Sequence, residues 1–360
     1  MKQGKKLTVV DLFSGCGGLS KGFLDAGCDV ILGVDNDIPS LKTFKKNHNH
    51  STVLHADLFD KNVIKQIKKI VKKVDILVGG PPCQGFSLTG TRNFDDKRNR
   101  LYLSFIDAVE ELKPKAFLIE NVPGLVRLYD GSVKDEIIKR LSALGYSVVW
   151  KILCSADYGV PQIRTRVVFV GLRKKYGKFI FPIPTHTPDK YITCSEAICD
   201  LPTLENSLGA EESLYSSPAL SMYQKTMRKN TKILYNHVAT KHTEMVKSVI
   251  NLVPEGGNYK DLPVGIGTSR HFNEAWTRYH SKRPSKTIDT GHRNHFHYKY
   301  NRIPTVRENA RLQSFSDDFV FIGTRTQQNR QVGNAVPPIL GYHIGRQIMS
   351  FLNKKNEDKK

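Results

Sequence analysis

The sequence predicts an α/β protein, a doubly wound parallel sheet joined to a second, smaller domain of irregular, β-rich structure. Three observations predict it. Short apolar or β-branched runs alternate with helix-like stretches through the first half of the 360 residues, the pattern of repeated strand–helix–strand units. The alternation stops near Phe181, and Pro182, Pro184, Pro188, Pro202 and Pro218 punctuate the next stretch. A regular motif returns near Ile303 and runs to Phe351. The expected organisation is a sheet domain over 1–181, a second domain over 182–303, a segment over 304–352 returning to the first, and a charged, disordered tail over 353–360.

Leu7–Phe13, Val30–Val34, Val53–His55, Val74–Val78 and Ala116–Ile119 read as buried strands. Leu19–Ala26, Pro39–Asn47, Asn62–Lys72 and Leu101–Leu112 read as the helices between them. Over 61–73, Ile64, Ile67, Val71 and Val74 recur at helical spacing while Lys61, Lys65, Lys68, Lys69, Lys72 and Lys73 fall mostly elsewhere. That is an amphipathic helix whose solvated basic face needs no ligand to explain it. In such sheets ligands bind where loops leave the carboxyl ends of the strands. Chemistry is therefore sought at Ser14–Gly18, Asp35, Asp57, Gly79–Ser87 and Glu120-Asn121.

Composition narrows the function. Apolar residues make up 39% of the chain, enough for a packed core. No stretch nears the ~18 consecutive apolar residues of a membrane helix, and no secretory signal follows the basic N-terminus. The six cysteines include no Cys-x-x-Cys pair, which argues against a disulfide scaffold or zinc ribbon and fits a reducing cytoplasm. The formal net charge of +21 favours a polyanion, nucleic acid being the commonest soluble one. Residues 1–181 hold 30 basic and 18 acidic side chains, whereas 182–280 hold 10 of each.

Asp11-Leu12-Phe13-Ser14-Gly15-Cys16-Gly17-Gly18 ends the first strand and opens a helix. Its glycines let the backbone approach a ligand, and the helix start offers free N–H donors. Asp35, about 20 residues on, stands where a carboxylate accepts from ribose hydroxyls. The spacing is not G-x-G-x-x-G, so a nucleoside fits better than a dinucleotide. Tight strand-to-helix turns also select glycine, and Asp57 taken alone is more often a helix cap. In Gly79-Gly80-Pro81-Pro82-Cys83-Gln84-Gly85-Phe86-Ser87 a cysteine follows a strand on a stiff Pro-Pro base; a thiolate there is a nucleophile. Glu120 places a carboxylate at the same edge, and Arg164 and Arg166 precede the strand Val167–Val170 as anchors for a carbonyl. Taken singly, each arginine reads as a surface ion pair.

In order, these blocks resemble the C5-cytosine-specific DNA methyltransferases of bacteria. Thr305–Phe315 and Gln331–Pro338 complete the set, and the resemblance covers the whole chain. It implies a Rossmann-like domain that binds S-adenosyl-L-methionine, and a target-recognition domain over 182–303. It implies that Cys83 adds to cytosine C6, that Glu120 engages N3, that Arg166 contacts the base carbonyl, and that Arg164 supports it or a phosphate. Asn121 joins this catalytic group. Phe13 would stack on adenine, Asp35 hold the ribose and Asp57 the adenine amino group. Ser14, Gly15, Gly17, Asn36, Leu58, Pro81, Asn334 and Ala335 complete the implied cofactor positions.

The target base must leave the duplex to present C6. Residues 84–102 correspond to the family's mobile loop. Gln84, Ser87, Arg92, Arg98 and Arg100, with Thr287, are the expected DNA contacts. No metal is implied. The implied partner is double-stranded DNA, met by a monomer in a bacterial cytoplasm, with a cognate restriction endonuclease as functional counterpart. Cys16 stands where the family more often has a non-thiol residue, a candidate for oxidation; Ser316 stands where it often has Pro. Two other readings compete: a tRNA-modifying relative of the same fold, and a DNA-binding regulator without turnover.

Overall fold

The computed structural model describes residues 6–82, 101–266, 275–291 and 294–357. Its first unit is built on β1 (Thr8–Leu12), β2 (Asp29–Asp35), β3 (Thr52–His55), β4 (Ile76–Gly79) and β5 (Ala116–Asn121), all parallel. An antiparallel hairpin, β6 (Tyr146–Cys154) and β7 (Thr165–Arg173), is added beside β5, giving the order β3-β2-β1-β4-β5-β7-β6. The sheet is therefore mixed, not wholly parallel. The β6 strand escapes a reading by apolar runs because Trp150, Lys151 and Ile152 are exposed at the sheet's margin.

Helices α1 (Gly18–Asp25), α2 (Ile38–Asn47), α3 (Asn62–Ile70), α4 (Leu101–Leu112) and α5 (Ser132–Ala143) lie between the strands. Local chemistry sets their starts. Pro39 occupies the first turn of α2, and the Asp37 carboxylate accepts from Ser40 N at 3.1 Å. Ile67 of α3, Phe105 of α4 and Ile137 of α5 are fully buried with Leu77, Phe117 and Phe169 of the sheet, so each helix keeps its apolar stripe inward and its charges in solvent.

The second unit comprises residues 155–164 and 185–337. It contains α6 (Cys194–Ile198), β8 (Gly209–Leu214), α7 (Met222–Met227), β9 (Ile233–Val238), α8 (Glu244–Leu252), β10 (Thr277–Arg278), β11 (His295–Phe296), α9 (Val306–Leu312) and α10 (Arg325–Asn334). The two ribbons β8–β9 and β10–β11 are its described sheets, so it is less β-rich than expected. Three of its helices, α6, α7 and α9, with 5, 6 and 7 residues, are too short to show a 3.6-residue period. They announce themselves instead by reciprocal capping boxes, such as Thr193 with Glu196, Ser221 with Gln224 and Thr305 with Glu308.

The chain returns to the first unit at Pro338, later than the expected 304, as α11 (Pro338–Glu357). Helix continues to Glu357, into the stretch from 353 expected to be disordered. Gly22 lets α11 lie close to α1, since a Cβ there would come within 2.6 Å of the backbone nitrogen of Tyr342.

Candidate active site

The parallel strands of the first unit finish, and β7 begins, along one edge of the sheet. The register fixes this: Leu12 pairs with Gly79, Gly79 with Ile119 and Asn121 with Val167. At that edge the turn after β1 carries three positive φ angles, at Phe13 (58°), Gly15 (53°) and Gly17 (93°). Gly15 N donates to Asp35 Oδ2 at 2.7 Å, and Asp37 N donates to Asp35 Oδ1 at 2.9 Å. Burial raises the pKa of Asp35, and these amides oppose the rise. Each carboxylate oxygen accepts more than one hydrogen bond, so Asp35 supports the turn and still has acceptor sites for a ligand. A Cβ on Gly15 would meet nothing within 4 Å, and Ser14 Oγ is buried with no partner among the described residues. An open cradle beside an unsatisfied hydroxyl fits a nucleoside-bearing cofactor.

Two buried polar groups lie beneath this turn, Asp11 at the head of its sequence block and His48, which gives no signal in sequence. Asp11 is buried and accepts from Ser20 Oγ at 2.6 Å, and burial raises its pKa to about 7. His48 is buried with Nε2 3.2 Å from Gly17 O and its ring 4.4 Å from that of Phe44. Burial lowers its pKa to about 4. A carbonyl only accepts, so the neutral ring carries its proton on Nε2. Cys16 is also buried, its thiol pushed up to about 12; this overturns it as an oxidation site, because a thiol so rarely ionised is a poor nucleophile. Asn36 and Asp57 are exposed. Asp57 Oδ1 accepts from Phe59 N at 3.0 Å, forming a local turn around buried Leu58; the N-cap of α3 is Lys61, so Asp57 caps no helix.

Glu120 and Arg166 meet farther along the edge, Nε to Oε1 at 3.0 Å, with both side chains largely buried. Arg166 also donates from Nη1 to Thr165 O at 2.8 Å. Burial lowers the proton affinity of the guanidinium and Glu120 opposes that; its remaining N–H groups can serve a carbonyl. Gly80 leaves room for the carboxylate, since a Cβ there would lie 3.1 Å from Glu120 Oε2. Asn121 Nδ2 donates to Pro81 O at 2.8 Å while its Oδ1 accepts from Val122 N. Asn121 thus holds the Pro81 turn. Cys83, Gln84, Ser87, Arg92, Arg98 and Arg100 lie outside the described residues.

The remaining expected residues belong to the second unit. Arg164 is buried and donates to Gly333 O at 3.0 Å and Ile288 O at 3.5 Å. Two carbonyls of its own unit thus hold the guanidinium in place. Gln162 is bound beside it, accepting from Ile288 N at 3.0 Å and donating to Gln313. Thr287 is exposed and donates to Ile163 O at 2.8 Å. Asn334 is exposed at the end of α10, and Ala335 O accepts from Gln313 Nε2 at 2.6 Å.

Residues 7–350 match the family described as C-5 cytosine-specific DNA methylase. The chain belongs to that family. It is 40% identical to the type II methyltransferase M1.HphI of Haemophilus parahaemolyticus, over 96% of this chain and 87% of the relative. It is 36% identical to M.DdeI of Desulfomicrobium norvegicum, over 97% and 90%. A putative DNA modification methyltransferase encoded within an E. coli prophage has a similar crystal structure, with TM-score 0.81 and 29% identity over 97% of this chain and 100% of that one. The S. pombe Dnmt2 methyltransferase, at 17% identity and TM-score 0.58 over 98% of this chain and 100% of that one, shares the fold. The protein is thus a DNA cytosine methyltransferase with the Rossmann-like fold, of the bacterial type II restriction–modification kind. No described helix of this methylase is long and apolar enough to cross a membrane.

Proposed function

We propose that this methylase transfers a methyl group from S-adenosyl-L-methionine to C5 of a cytosine flipped out of double-stranded DNA, through a covalent bond between Cys83 and C6. The observation that carries the reading is the Glu120–Arg166 pair at 3.0 Å, on the strand edge that also bears the Gly15–Asp35 cradle. Such a pair suits a cytosine: Arg166 donors meet the ring carbonyl while Glu120 engages N3. Both draw charge from the ring and make C6 open to attack. Cys83, next in sequence after Pro82, is the thiol of the Pro-Pro-Cys-Gln motif. Its sulfur adds to C6, which makes C5 nucleophilic. S-adenosyl-L-methionine supplies an electrophilic methyl group, with Ser14, Gly15 and Asp35 as the residues to hold it. C5 then loses its proton to solvent or a nearby base, the C6–S bond breaks, and the thiolate leaves a restored aromatic ring.

In this reading the second unit contributes target recognition, the basic stretch 92–100 neutralises phosphates, and the biological role is protection against a cognate endonuclease. The test is a duplex containing 5-fluorocytosine at the methylated site, found first by bisulfite sequencing of DNA from expressing cells. With the methyl donor present, wild-type protein should form an adduct that survives denaturing electrophoresis. Cys83→Ser should form none and lose methyl transfer by on the order of 10³-fold or more. Undiminished transfer by that variant refutes the nucleophile.

A further inference from the structure

The opposite edge of the first unit's sheet carries a second concentration of charge. Lys72 and Lys73 precede β4, Lys113 precedes β5, and Lys174, Lys175 and Lys178 follow β7, all exposed. The register draws these loops together: Lys115 N donates to Asp75 O at 2.8 Å, Arg173 N to Lys115 O at 2.9 Å, and Lys174 N to Gly145 O at 3.1 Å. Carboxylates near them are committed. Asp75 is bound by Thr8 N at 3.1 Å and Lys115 at 2.9 Å, with Lys73 at 3.9 Å, and Glu111 is bound by Lys68 at 2.9 Å. Glu110 remains as the exposed acid at the end of α4, and Asp29 lies two strands away.

Part of this charge has a local cause. Lys45 and Lys46 in α2, and Lys68 and Lys69 in α3, stand in last turns, where cations complement the helix dipole. Lys113 caps the end of α4, its N–H donating to Val109 O at 3.0 Å, and Lys72 and Lys73 follow α3, so the dipole accounts in part for these three. Lys174 and Lys175, in a single 3-10 turn, and Lys178 belong to no α-helix. The row crosses β4, β5 and β7, about 10 Å of backbone at ~4.8 Å per strand. A duplex presents about six phosphate charges over that length.

We propose that this edge is a second DNA-binding surface, which holds a duplex segment other than the one undergoing methylation. The inference rests on DNA being the substrate. Along β5 the basic edge and Glu120 are four residues apart, about 13 Å, and they are opposite ends of the strand. A straight duplex on one edge therefore does not occupy the other. The gain would be retention: a long DNA molecule held at this surface keeps the enzyme near unread sites.

The variant Lys72→Gln/Lys73→Gln/Lys174→Gln/Lys175→Gln tests it. Binding to a long duplex of random sequence is measured from 50 to 200 mM salt, and the log–log salt slope of the variant should be shallower by about 3 to 4. Wild-type protein on an immobilised duplex should capture a second, labelled duplex, and the variant at least tenfold less. Methyl transfer to a short duplex should stay within twofold of wild type, showing that the variant is folded. An unchanged slope with unchanged capture overturns the proposal. So does a variant that loses binding to tRNA or polyglutamate while wild-type protein never joins two duplexes, since the partner is then another polyanion. Protein that joins duplexes but methylates none would refute the proposed chemistry and leave this surface standing.

Discussion

Glu120 and Arg166 illustrate how much rests on single residues. A lysine at 166 keeps the charge but cannot bind Glu120 and a base carbonyl with one planar fork. Arg166→Lys should therefore lower kcat on the order of 10²-fold, with KM for the methyl donor little changed, measured with labelled donor and a short duplex. His48 acts at one remove, through the carbonyl of Gly17. His48→Phe keeps the ring contact with Phe44 and removes the donor; KM for the methyl donor should rise several-fold while kcat holds, and a fall in kcat alone would contradict this. Asp11 makes a pH prediction. Its folded pKa of about 7 lies above the ordinary value of 3.8, so between these values the folded state binds more protons than the unfolded one. The stability it contributes is present at low pH and is lost as pH rises through that window. Chemical unfolding at pH 5 and pH 8 should show Asp11→Asn gaining on wild type at the higher pH.

Among the elements, the turn after β1 and the α1–α11 contact show opposite uses of glycine. Gly17 takes a φ of 93° that side chains rarely adopt, and a Cβ there would also press on His48 and Phe44. Gly22 has no such φ; it is small because α11 lies against it. Gly22→Ala should cost about 1–3 kcal/mol by forcing the two helices apart, measured by urea unfolding. The hairpin β6–β7 delivers Arg166 to the strand edge by running antiparallel to β5, with Asn121 opposite Val167. No apolar period marks β6, whereas the Val167–Val170 run marks β7, so Arg166 is legible in the sequence by its motif and by the strand it opens, and the hairpin partner is not.

For the molecule as a whole, the second unit is held by buried ions. Arg311 lies between Asp200 at 2.5 Å and Asp317 at 2.7 Å, and Arg302 meets Glu308 with two bonds at 2.6 and 2.7 Å. Replacing one partner leaves a charge buried without its counter-ion. Arg311→Met should destabilise the second unit by about 3–5 kcal/mol, seen as a new low-temperature transition in calorimetry, whereas an unchanged melting profile would contradict the assignment. Arg302 holds the Glu308 carboxyl far below its usual range despite burial. Its contribution is present above the unfolded pKa and lost only in strong acid. Glu308 and Arg311 fall in the Thr305–Phe315 block, which by its motif belongs to a segment returning to the first unit; in the fold they build the core of the second.

From its order of residues alone this protein declares its five parallel strands and β7, its glycine turn, the Pro-Pro-Cys-Gln run and the carboxylate at the end of β5, because turn chemistry and hydrophobic period are local properties. The family follows from those motifs. Only folding in three dimensions decides that Arg164 is a buried clasp while Arg166, two residues on, meets Glu120. It alone shows that Asp11 and His48 sit under the turn after β1, that a polar-margined strand completes the sheet, and that lysines scattered over a hundred residues share one edge. Those outcomes depend on which distant atoms come to lie within a few ångströms, and on the water excluded there, which no short window of sequence contains.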